Sequence, residues 1–244
     1  MKNIKLIIEY DGTSYSGWQR QKNAVTIQQK IEDAIKKTTG SFSEVIGASR
    51  TDAGVHARGF VCNFFTNSKI PAPNFKMALN GVLPEDIVVL SSERVDNSFH
   101  SRFHSIGKKY IYTIITGDNR PVIGRQYVYY FRMKLDIEKI RTACKYFEGI
   151  HDFSAFKKKG SSARSSIRTI REMTVTEQGK LIKFNVIGDG FLYNMVRIMV
   201  GTLLEVGVGK FKPEYIKDIL KSKDRSKAGK PVPAVGLCLE KVFY

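Results

Sequence analysis

The amino-acid sequence predicts an α+β fold, in which strands and helices follow one another in a repeated order. Segments with strand-like alternation and segments with helical periodicity occur in the order β-α-β-β-α-β, and this order occurs twice along 244 residues. In composition, 42% of the residues are hydrophobic and 11% are aromatic, which is enough to fill a packed core in a chain of this length. Disorder is therefore excluded as the main state.

The first half contains four predicted strands and two predicted helices. Its first strand ends at the turn Asp11-Gly12, and its first helix has apolar residues at helical spacing and stops before Gly40. Two strands then flank a polar run, and a short helix and a further strand follow. In chain order these elements are predicted at residues 4–10 (strand), 26–38 (helix), 44–49 and 60–65 (strands), 74–81 (helix) and 87–95 (strand).

The second half repeats this plan. An alternating strand precedes a helix whose apolar positions recur every three or four residues, and a hairpin then turns around Gln178-Gly179. A long apolar helix, a shorter helix and a closing strand complete it. The predicted elements are residues 109–115 (strand), 136–148 (helix), 167–176 and 181–187 (hairpin), 191–206 and 213–220 (helices) and 236–244 (strand).

Both halves fit a ferredoxin-like, RRM-like βαββαβ unit. We expect two tandem units, residues 1–104 and 105–244, whose strands form one continuous mixed, mainly antiparallel sheet with the helices on one face. Two such units leave a central cleft, and open sheet faces that carry aromatic and basic side chains commonly bind RNA. The order of elements predicts an architecture and does not by itself predict an activity.

The chain is strongly basic, because 40 Lys and Arg oppose 23 Asp and Glu for a formal charge of +17. The basic residues are spread over many segments, which favours a long polyanion over a membrane surface as the partner. No run reaches the roughly 18 apolar residues of a bilayer span, and the N-terminal residues lack the apolar segment of a signal peptide. We therefore expect a cytoplasmic protein without a membrane partner.

The metal-binding residue types occur in unfavourable patterns. Cys62, Cys144 and Cys238 are far apart and form no CxxC pair, so neither a disulfide framework nor a thiolate zinc site is supported. His100 and His104 are spaced i, i+4 but lack the Glu that follows the first His of a zincin motif. The sequence therefore predicts no metal site.

The connection between the second and third predicted strands is the densest group of side chains that could carry chemistry. Its central Asp52 follows Arg50 by two residues and precedes Arg58 by six. One interpretation is a polar turn in which Thr51 or Asp52 bonds its own backbone and Gly54 adopts a positive φ. In the other, the nearby guanidinium groups keep Asp52 ionised, as a carboxylate nucleophile must be.

The long apolar helix of the second half carries a cation at the centre of its narrow polar stripe. Arg197 lies between Asn194 and Glu205 in this stripe, and none of its i±3 and i±4 neighbours is acidic. If the stripe faces solvent, Arg197 needs no partner. If it is partly buried, Arg197 needs an anion from elsewhere in the fold, and Asp52 is the candidate.

Tyr110 and Tyr112 share one face of the strand predicted at 109–115, behind Lys108 and Lys109. Two aromatic residues on a strand usually belong to the core. The alternative is a surface on which a nucleobase stacks.

The segment 11–18 contains two glycines and has the look of a phosphate loop. It lacks the Gly-Lys-Ser/Thr ending of a Walker A motif and the GxGxxG spacing, so ATP or NAD use has little support. A substrate-contacting loop and a plain Ω-like turn fit it equally well.

Seven segments along the chain carry a family resemblance. They are Tyr-Asp-Gly-Thr with Gly-Trp-Gln in 10–19, Arg-Thr-Asp-Ala-Gly-Val-His-Ala at 50–57, Ala-Leu-Asn-Gly-Val-Leu-Pro at 78–84, Lys-Lys-Tyr-Ile-Tyr at 108–112, Gly-Ile-His-Asp-Phe at 149–153, Phe-Leu-Tyr-Asn-Met-Val-Arg at 191–197 and Gly-Leu-Cys-Leu at 236–239. In these segments the sequence resembles the tRNA pseudouridine synthase A family, which isomerises uridines in the anticodon stem-loop.

The resemblance implies a role for each candidate residue. Asp52 is then the catalytic aspartate, Tyr110 stacks on the target uracil, Arg197 pairs with the aspartate, and Arg58 helps to displace the flipped nucleotide. It also implies tRNA positions 38, 39 and 40 as targets, a homodimer, and neither a metal nor an organic cofactor. The alternative is a non-catalytic tRNA-binding or RNA-chaperone protein that uses the same basic cleft.

Residues 157–166 depart from the resemblance, because they are unusually basic and rich in serine. A tRNA-contacting loop and a solvated loop fit this segment equally well.

Overall fold

The computed structural model describes residues 1–158, 160 and 164–244, and it has the predicted α+β fold. These residues divide into two compact units. The first unit is Met1–Ile106 with Cys238–Tyr244, and the second is Gly107–Leu237. The predicted division at 104/105 differs at the end of the chain, where the closing strand groups with the first unit.

The first unit contains the predicted strands and helices of the first half. Its elements are β1 (Lys2–Tyr10), α1 (Ile27–Thr39), β2 (Ile46–Gly47), β3 (His56–Thr66), α2 (Phe75–Asn80) and β4 (Ile87–Val95), to which β10 (Leu237–Phe243) is added. Strand β1 lies between β4 and β3 and is antiparallel to both. This order, with β2 antiparallel to β3, is that of a ferredoxin-like unit.

One edge of β3 has two partners. The short β2 pairs with Cys62 and Asn63, whereas β10 pairs with His56 and Ala57 and runs parallel to β3. The parallel pair makes the sheet of this unit mixed. It also explains why residues distant in sequence join the first unit.

The strand predicted at 44–49 is reduced to two residues, because side chains of helix α1 form hydrogen bonds with its backbone at Val45. The N–H of Val45 donates to Glu32 Oε1 at 3.1 Å, and the carbonyl of Val45 accepts from Gln28 Nε2 at 3.1 Å. Side chains of α1 thus satisfy backbone groups that a longer strand would pair with β3.

Helix α1 has the ends that its sequence predicts. The hydroxyl of Thr26 accepts from the N–H of Gln29, and Gly40 ends the helix with φ 77°. Its buried face includes Ile27, Ile31 and Ile35.

The second unit contains β5 (Gly107–Ile115), β6 (Tyr129–Tyr130), α3 (Ile137–Lys145), β7 (Gly149–Asp152), β8 (Ile167–Gln178), β9 (Leu181–Gly188), α4 (Met195–Gly207) and α5 (Tyr215–Ser222). Strand order is β5-β9-β8-β7, all antiparallel, and β6 pairs in parallel with the end of β5. The sequence predicted the β8–β9 hairpin and not the short strands β6 and β7.

The prediction that this helix begins at residue 191 was wrong, since α4 begins at Met195. Asn194 has a left-handed backbone with φ 60°, which an α-helix cannot contain. The preceding residues form a turn closed by the N–H of Met195 and the carbonyl of Leu192 at 3.0 Å. The apolar residues of this turn continue the helical period, which is why the sequence did not reveal it.

Candidate active site

Asp52 lies half-buried in the loop between β2 and β3 of the first unit. The N–H of Val55 donates to the carbonyl of Asp52 at 3.2 Å, and Gly54 has φ 77°. A tight turn, one of the two interpretations of this connection, is therefore present, and a backbone hydrogen bond closes it. Its presence does not remove the functional interpretation, because the turn also fixes where the carboxylate stands.

The glycine-containing loop after β1 holds this aspartate loop from both sides. The N–H of Trp18 donates to the carbonyl of Thr51 at 3.1 Å, and the N–H of Gly54 donates to the carbonyl of Tyr15 at 3.3 Å. The hydroxyls of Tyr10 and Thr51 share a hydrogen bond of 2.9 Å. The backbone is therefore anchored at Thr51, directly before Asp52, and at Gly54, two residues after it. Segment 11–18 thus supports the aspartate loop.

Two glycines permit this close approach. A Cβ on Gly12 would lie 2.0 Å from the carbonyl oxygen of Val55, and a Cβ on Gly17 would lie 2.4 Å from that of Thr51. Gly17 also has φ +87°, which favours glycine. The glycines that suggested a phosphate loop are thus required for contact between two backbones.

His56, the first residue of β3, ties the same two loops together. Its Nδ1 lies 3.1 Å from the N–H of Gly12 and 3.0 Å from Oδ1 of Asp11. When Nδ1 is unprotonated it accepts from Gly12, and when it is protonated it donates to Asp11. Sequence reasoning did not single out this histidine, although it belongs to the motif at 50–57.

The two arginines near Asp52 in sequence have other contacts. Arg50 Nε donates to Gln19 Oε1 at 3.3 Å. Arg58 has an exposed side chain, and its Nη1 lies 3.8 Å from Oε2 of Glu240 on β10. Each guanidinium thus lies near a polar group that the sequence did not suggest.

Tyr110 and Tyr112 share the inward face of β5, as the alternation predicts. Tyr112 is fully buried, and its hydroxyl donates to the carbonyl of Pro233 at 2.7 Å. Burial raises the pKa of Tyr112, so it is a neutral core residue. Tyr110 is 6% exposed, and the centre of its ring lies 5.1 Å from that of Phe191 in an edge-to-face contact.

Arg197 is half-buried on the first turns of α4, so the polar stripe does not simply face solvent. Its Nε donates to the carbonyl of Val232 at 2.8 Å, and its Nη1 donates to Oδ1 of Asn194 at 2.9 Å. These two acceptors are neutral oxygen atoms that orient the guanidinium. The left-handed turn at Asn194 therefore places the acceptor that aims Arg197.

An extended segment covers the remainder of this stripe. The N–H of Val232 donates to the carbonyl of Arg197 at 3.1 Å, and the N–H of Gly229 donates to the hydroxyl of Thr202 at 3.0 Å. A Cβ on Gly201 would lie 1.9 Å from the carbonyl oxygen of Lys230. No local sequence signal points to this segment, because it lies some 30 residues further along the chain.

The four sequence-predicted site residues are thus divided between the units. Asp52 and Arg58 belong to the first unit, and Tyr110 and Arg197 belong to the second. The pairing of Asp52 with Arg197 stays a prediction.

Three further expectations concern the chain as a whole. Within residues 1–158, 160 and 164–244, no group of three or more His, Cys, Asp or Glu side chains could hold a metal ion. In the same residues, no helix has both the length and the apolar character of a membrane span. Of the basic segment 157–166, residues 159 and 161–163 lie outside the described residues, so its role stays open.

Comparison with known proteins gives consistent matches over the whole chain. A family model described as tRNA pseudouridine synthase matches residues 6–104 and 143–244. The tRNA pseudouridine synthase A of Clostridium kluyveri is 75% identical over 244 residues, which cover both chains completely. The proteins of that name from Clostridium acetobutylicum and Acetivibrio thermocellus are 56% and 52% identical with the same coverage.

Among solved structures, one of a Cbf5-Nop10-Gar1 complex aligns at 13% identity with a TM-score of 0.38. The alignment covers 94% of this chain and 61% of that one. A similarity of this size carries no argument about function.

Proposed function

The chain belongs to the tRNA pseudouridine synthase family and isomerises uridine to pseudouridine in tRNA, and on this premise we propose that Asp52 is the catalytic carboxylate and that the target lies in the anticodon stem-loop. The observation that carries the assignment of Asp52 is its doubly anchored loop. Hydrogen bonds fix Thr51 on one side and Gly54 on the other. A catalytic group must be held in this way to meet a reacting atom.

The reaction breaks the N1–C1′ bond of uridine, turns the uracil and joins its C5 to C1′, while a proton leaves C5 and one is bound at N1. No atom is gained or lost overall. The base must first leave its stack, which costs roughly a few kcal/mol. This unstacking cost is smallest in loops and near stem ends. An anticodon stem-loop provides such positions.

Asp52 can act by three routes. Its carboxylate attacks C1′ and displaces uracil, or adds to C6 of the uracil, or removes the proton from C2′ to give a glycal. All three need the ionised carboxylate, and all three return it unchanged at the end of the cycle. Each route therefore assigns the reaction to the carboxylate of Asp52, although it acts on a different atom of the uridine.

The other three residues support this step. Tyr110, which is 6% exposed and packs edge-to-face on Phe191, is the residue whose ring stacks on the flipped uracil. Arg58 has an exposed guanidinium that fills the space left by the nucleotide. Arg197, aimed by Asn194 and Val232, pairs with Asp52 and stabilises its charge.

Replacing Asp52 tests the assignment directly. The Asp52→Asn and Asp52→Ala variants should form no pseudouridine in transcribed tRNA, while tRNA binding survives. Asp33→Asn is the matched control, because Asp33 is an exposed carboxylate on α1 that lies 3.7 Å from Arg20. Normal turnover by Asp52→Asn would refute the assignment, and an equal loss with Asp33→Asn would show a general effect of charge.

The position of the target is tested separately. tRNAs that carry a single uridine at position 38, 39 or 40 should gain pseudouridine at that position. Modification confined to uridines outside the anticodon stem-loop contradicts this part of the proposal and leaves the role of Asp52 intact.

Two further properties belong to the proposal. The family resemblance supports a homodimer, for which light scattering should give twice the mass of one chain. We further propose a cytoplasmic location, which fractionation of cells checks. A monomer, or recovery with membranes, contradicts the respective part.

A further inference from the structure

Tyr193 is an exposed aromatic residue next to the residues that position the proposed site in the second unit. It occupies the turn between β9 and α4, whose two ends are joined by the N–H of Met195 and the carbonyl of Leu192 at 3.0 Å. Leu192 is buried, whereas Tyr193 at the centre of the turn is 40% exposed. The turn therefore holds an aromatic ring at the surface.

The neighbours of Tyr193 on this turn belong to the proposed site. Phe191, two residues earlier, contacts the ring of Tyr110 at 5.1 Å. Asn194, the next residue, bonds the guanidinium of Arg197. Tyr193 is thus fixed to the same short segment that supports the uracil-stacking residue and the arginine.

A cation lies over one face of this ring, which leaves the other face for a base. The backbone N–H of Lys158 donates to the carbonyl of Tyr193 at 3.1 Å, and its ammonium lies 5.4 Å from the centre of the ring. Lys158 is itself exposed. An exposed aromatic ring with a lysine beside it is the combination with which proteins bind single-stranded RNA, since the ring stacks on a base and the ammonium contacts a phosphate.

We propose that Tyr193 and Lys158 form a second nucleotide-binding subsite, which takes a base adjacent to the target uridine. This rests on the proposed function, because the target uridine is placed on Tyr110. The ring stacks on the neighbouring base, which is unstacked when the target flips, and Lys158 binds the phosphate beside it. The subsite thereby compensates for part of the stacking lost from the RNA.

Binding of an RNA stem-loop that contains the target uridine tests the subsite. Tyr193→Ala should weaken binding roughly five- to hundredfold, as loss of one base–aromatic stack does, whereas Tyr193→Phe should bind as the unmodified protein does. A stem-loop with abasic nucleotides on both sides of the target should bind the unmodified protein and Tyr193→Ala about equally. If Tyr193 had only a structural role, Tyr193→Ala would lower the melting temperature of the protein and would weaken the binding of both RNAs to the same extent.

Lys217→Gln is the matched control for Lys158→Gln. Lys217 is an exposed lysine on α5 of the same unit, and its ammonium lies 4.3 Å from the ring centre of Tyr146. Lys158→Gln should weaken binding more than Lys217→Gln does and should remove more of the salt dependence.

The outcomes separate the two proposals. Unchanged binding by Tyr193→Ala, or an equal loss on the abasic stem-loop, overturns the subsite. If the wild-type protein makes no pseudouridine in the stem-loop but does so elsewhere in tRNA, the anticodon target is wrong. The binding of the wild-type protein and of Tyr193→Ala is then compared with an RNA that contains the site actually modified.

Discussion

Replacing Gly17 by alanine should move the aspartate loop without touching any reacting group. The new Cβ would lie 2.4 Å from the carbonyl oxygen of Thr51, 3.1 Å from the carbonyl carbon of Asp52 and 3.2 Å from the nitrogen of Ala53. Real Cβ atoms essentially never approach a heavy atom more closely than 3.0 Å. The contact with Thr51 must therefore open by at least about 0.6 Å.

A shift of this size at the backbone beside Asp52 has a calculable consequence. A misplacement of about 1 Å can cost on the order of a hundredfold in rate, so we expect the kcat of Gly17→Ala to fall roughly ten- to hundredfold. The left-handed backbone adds a cost of about 1 kcal/mol for any residue with a Cβ. That lowers the melting temperature by about 2–4 °C in a chain of this size.

Gly40→Ala separates these two effects. Gly40 also has a positive φ, +77°, but a Cβ there would meet nothing within 4 Å. Both variants should therefore lose the stability that a left-handed alanine costs, Gly17→Ala should lose more because of its clash with Thr51, and only Gly17→Ala should lose turnover. The assay is the initial rate of pseudouridine formation with saturating tRNA, at a temperature where both variants are folded. Normal kcat in a folded Gly17→Ala, or an equal loss in Gly40→Ala, would refute the reasoning.

Two further substitutions and one labelling experiment have expected outcomes. Tyr10→Phe removes the hydrogen bond to Thr51, so the free energy of unfolding should fall by about 0.5–1.5 kcal/mol, measured by urea titration. Glu240→Gln removes the carboxylate 3.8 Å from Arg58, and RNA binding should become up to about fivefold tighter, measured as Kd at two salt concentrations. Burial raises the pKa of the Cys144 thiol to about 12, so iodoacetamide at pH 8 should label it about a thousandfold more slowly than a free thiol.

Each of these has an outcome that contradicts it. Unchanged unfolding of Tyr10→Phe would mean that its hydroxyl does not stabilise the loop. Weaker RNA binding by Glu240→Gln would show that the carboxylate places Arg58 for binding. Rapid labelling of Cys144 in the native protein, at the rate seen after denaturation, would show that the thiol is accessible.

The fold was predictable wherever the period and the end signals agreed. Helix α1 lies between Thr26 and Gly40 because a capping hydroxyl and a left-handed glycine mark its ends. The start of α4 was not predictable, since the apolar residues of the turn at Asn194 continue the helical period. Strands of two or four residues, such as β6 and β7, are too short for an alternation to be read.

The candidate site shows the same limit. The residue types around Asp52 and Arg197 singled out both positions, because charges in those patterns need an explanation. Their supports were hidden, since Val232 lies 35 residues from Arg197 in sequence and Glu240 lies on a strand at the far end of the chain. Contacts of this kind depend on tertiary structure, which no local pattern encodes.

The parallel pairing of β10 with β3 has a consequence for biosynthesis. The ribosome makes all of Gly107–Leu237 after β4 and before the rest of β10, a delay on the order of 10 s at about 5–20 residues per second. During that delay, the edge of β3 at His56 and Ala57, directly after the aspartate loop, is without the strand that covers it. The part of the enzyme translated first is therefore completed by a segment translated more than a hundred residues later.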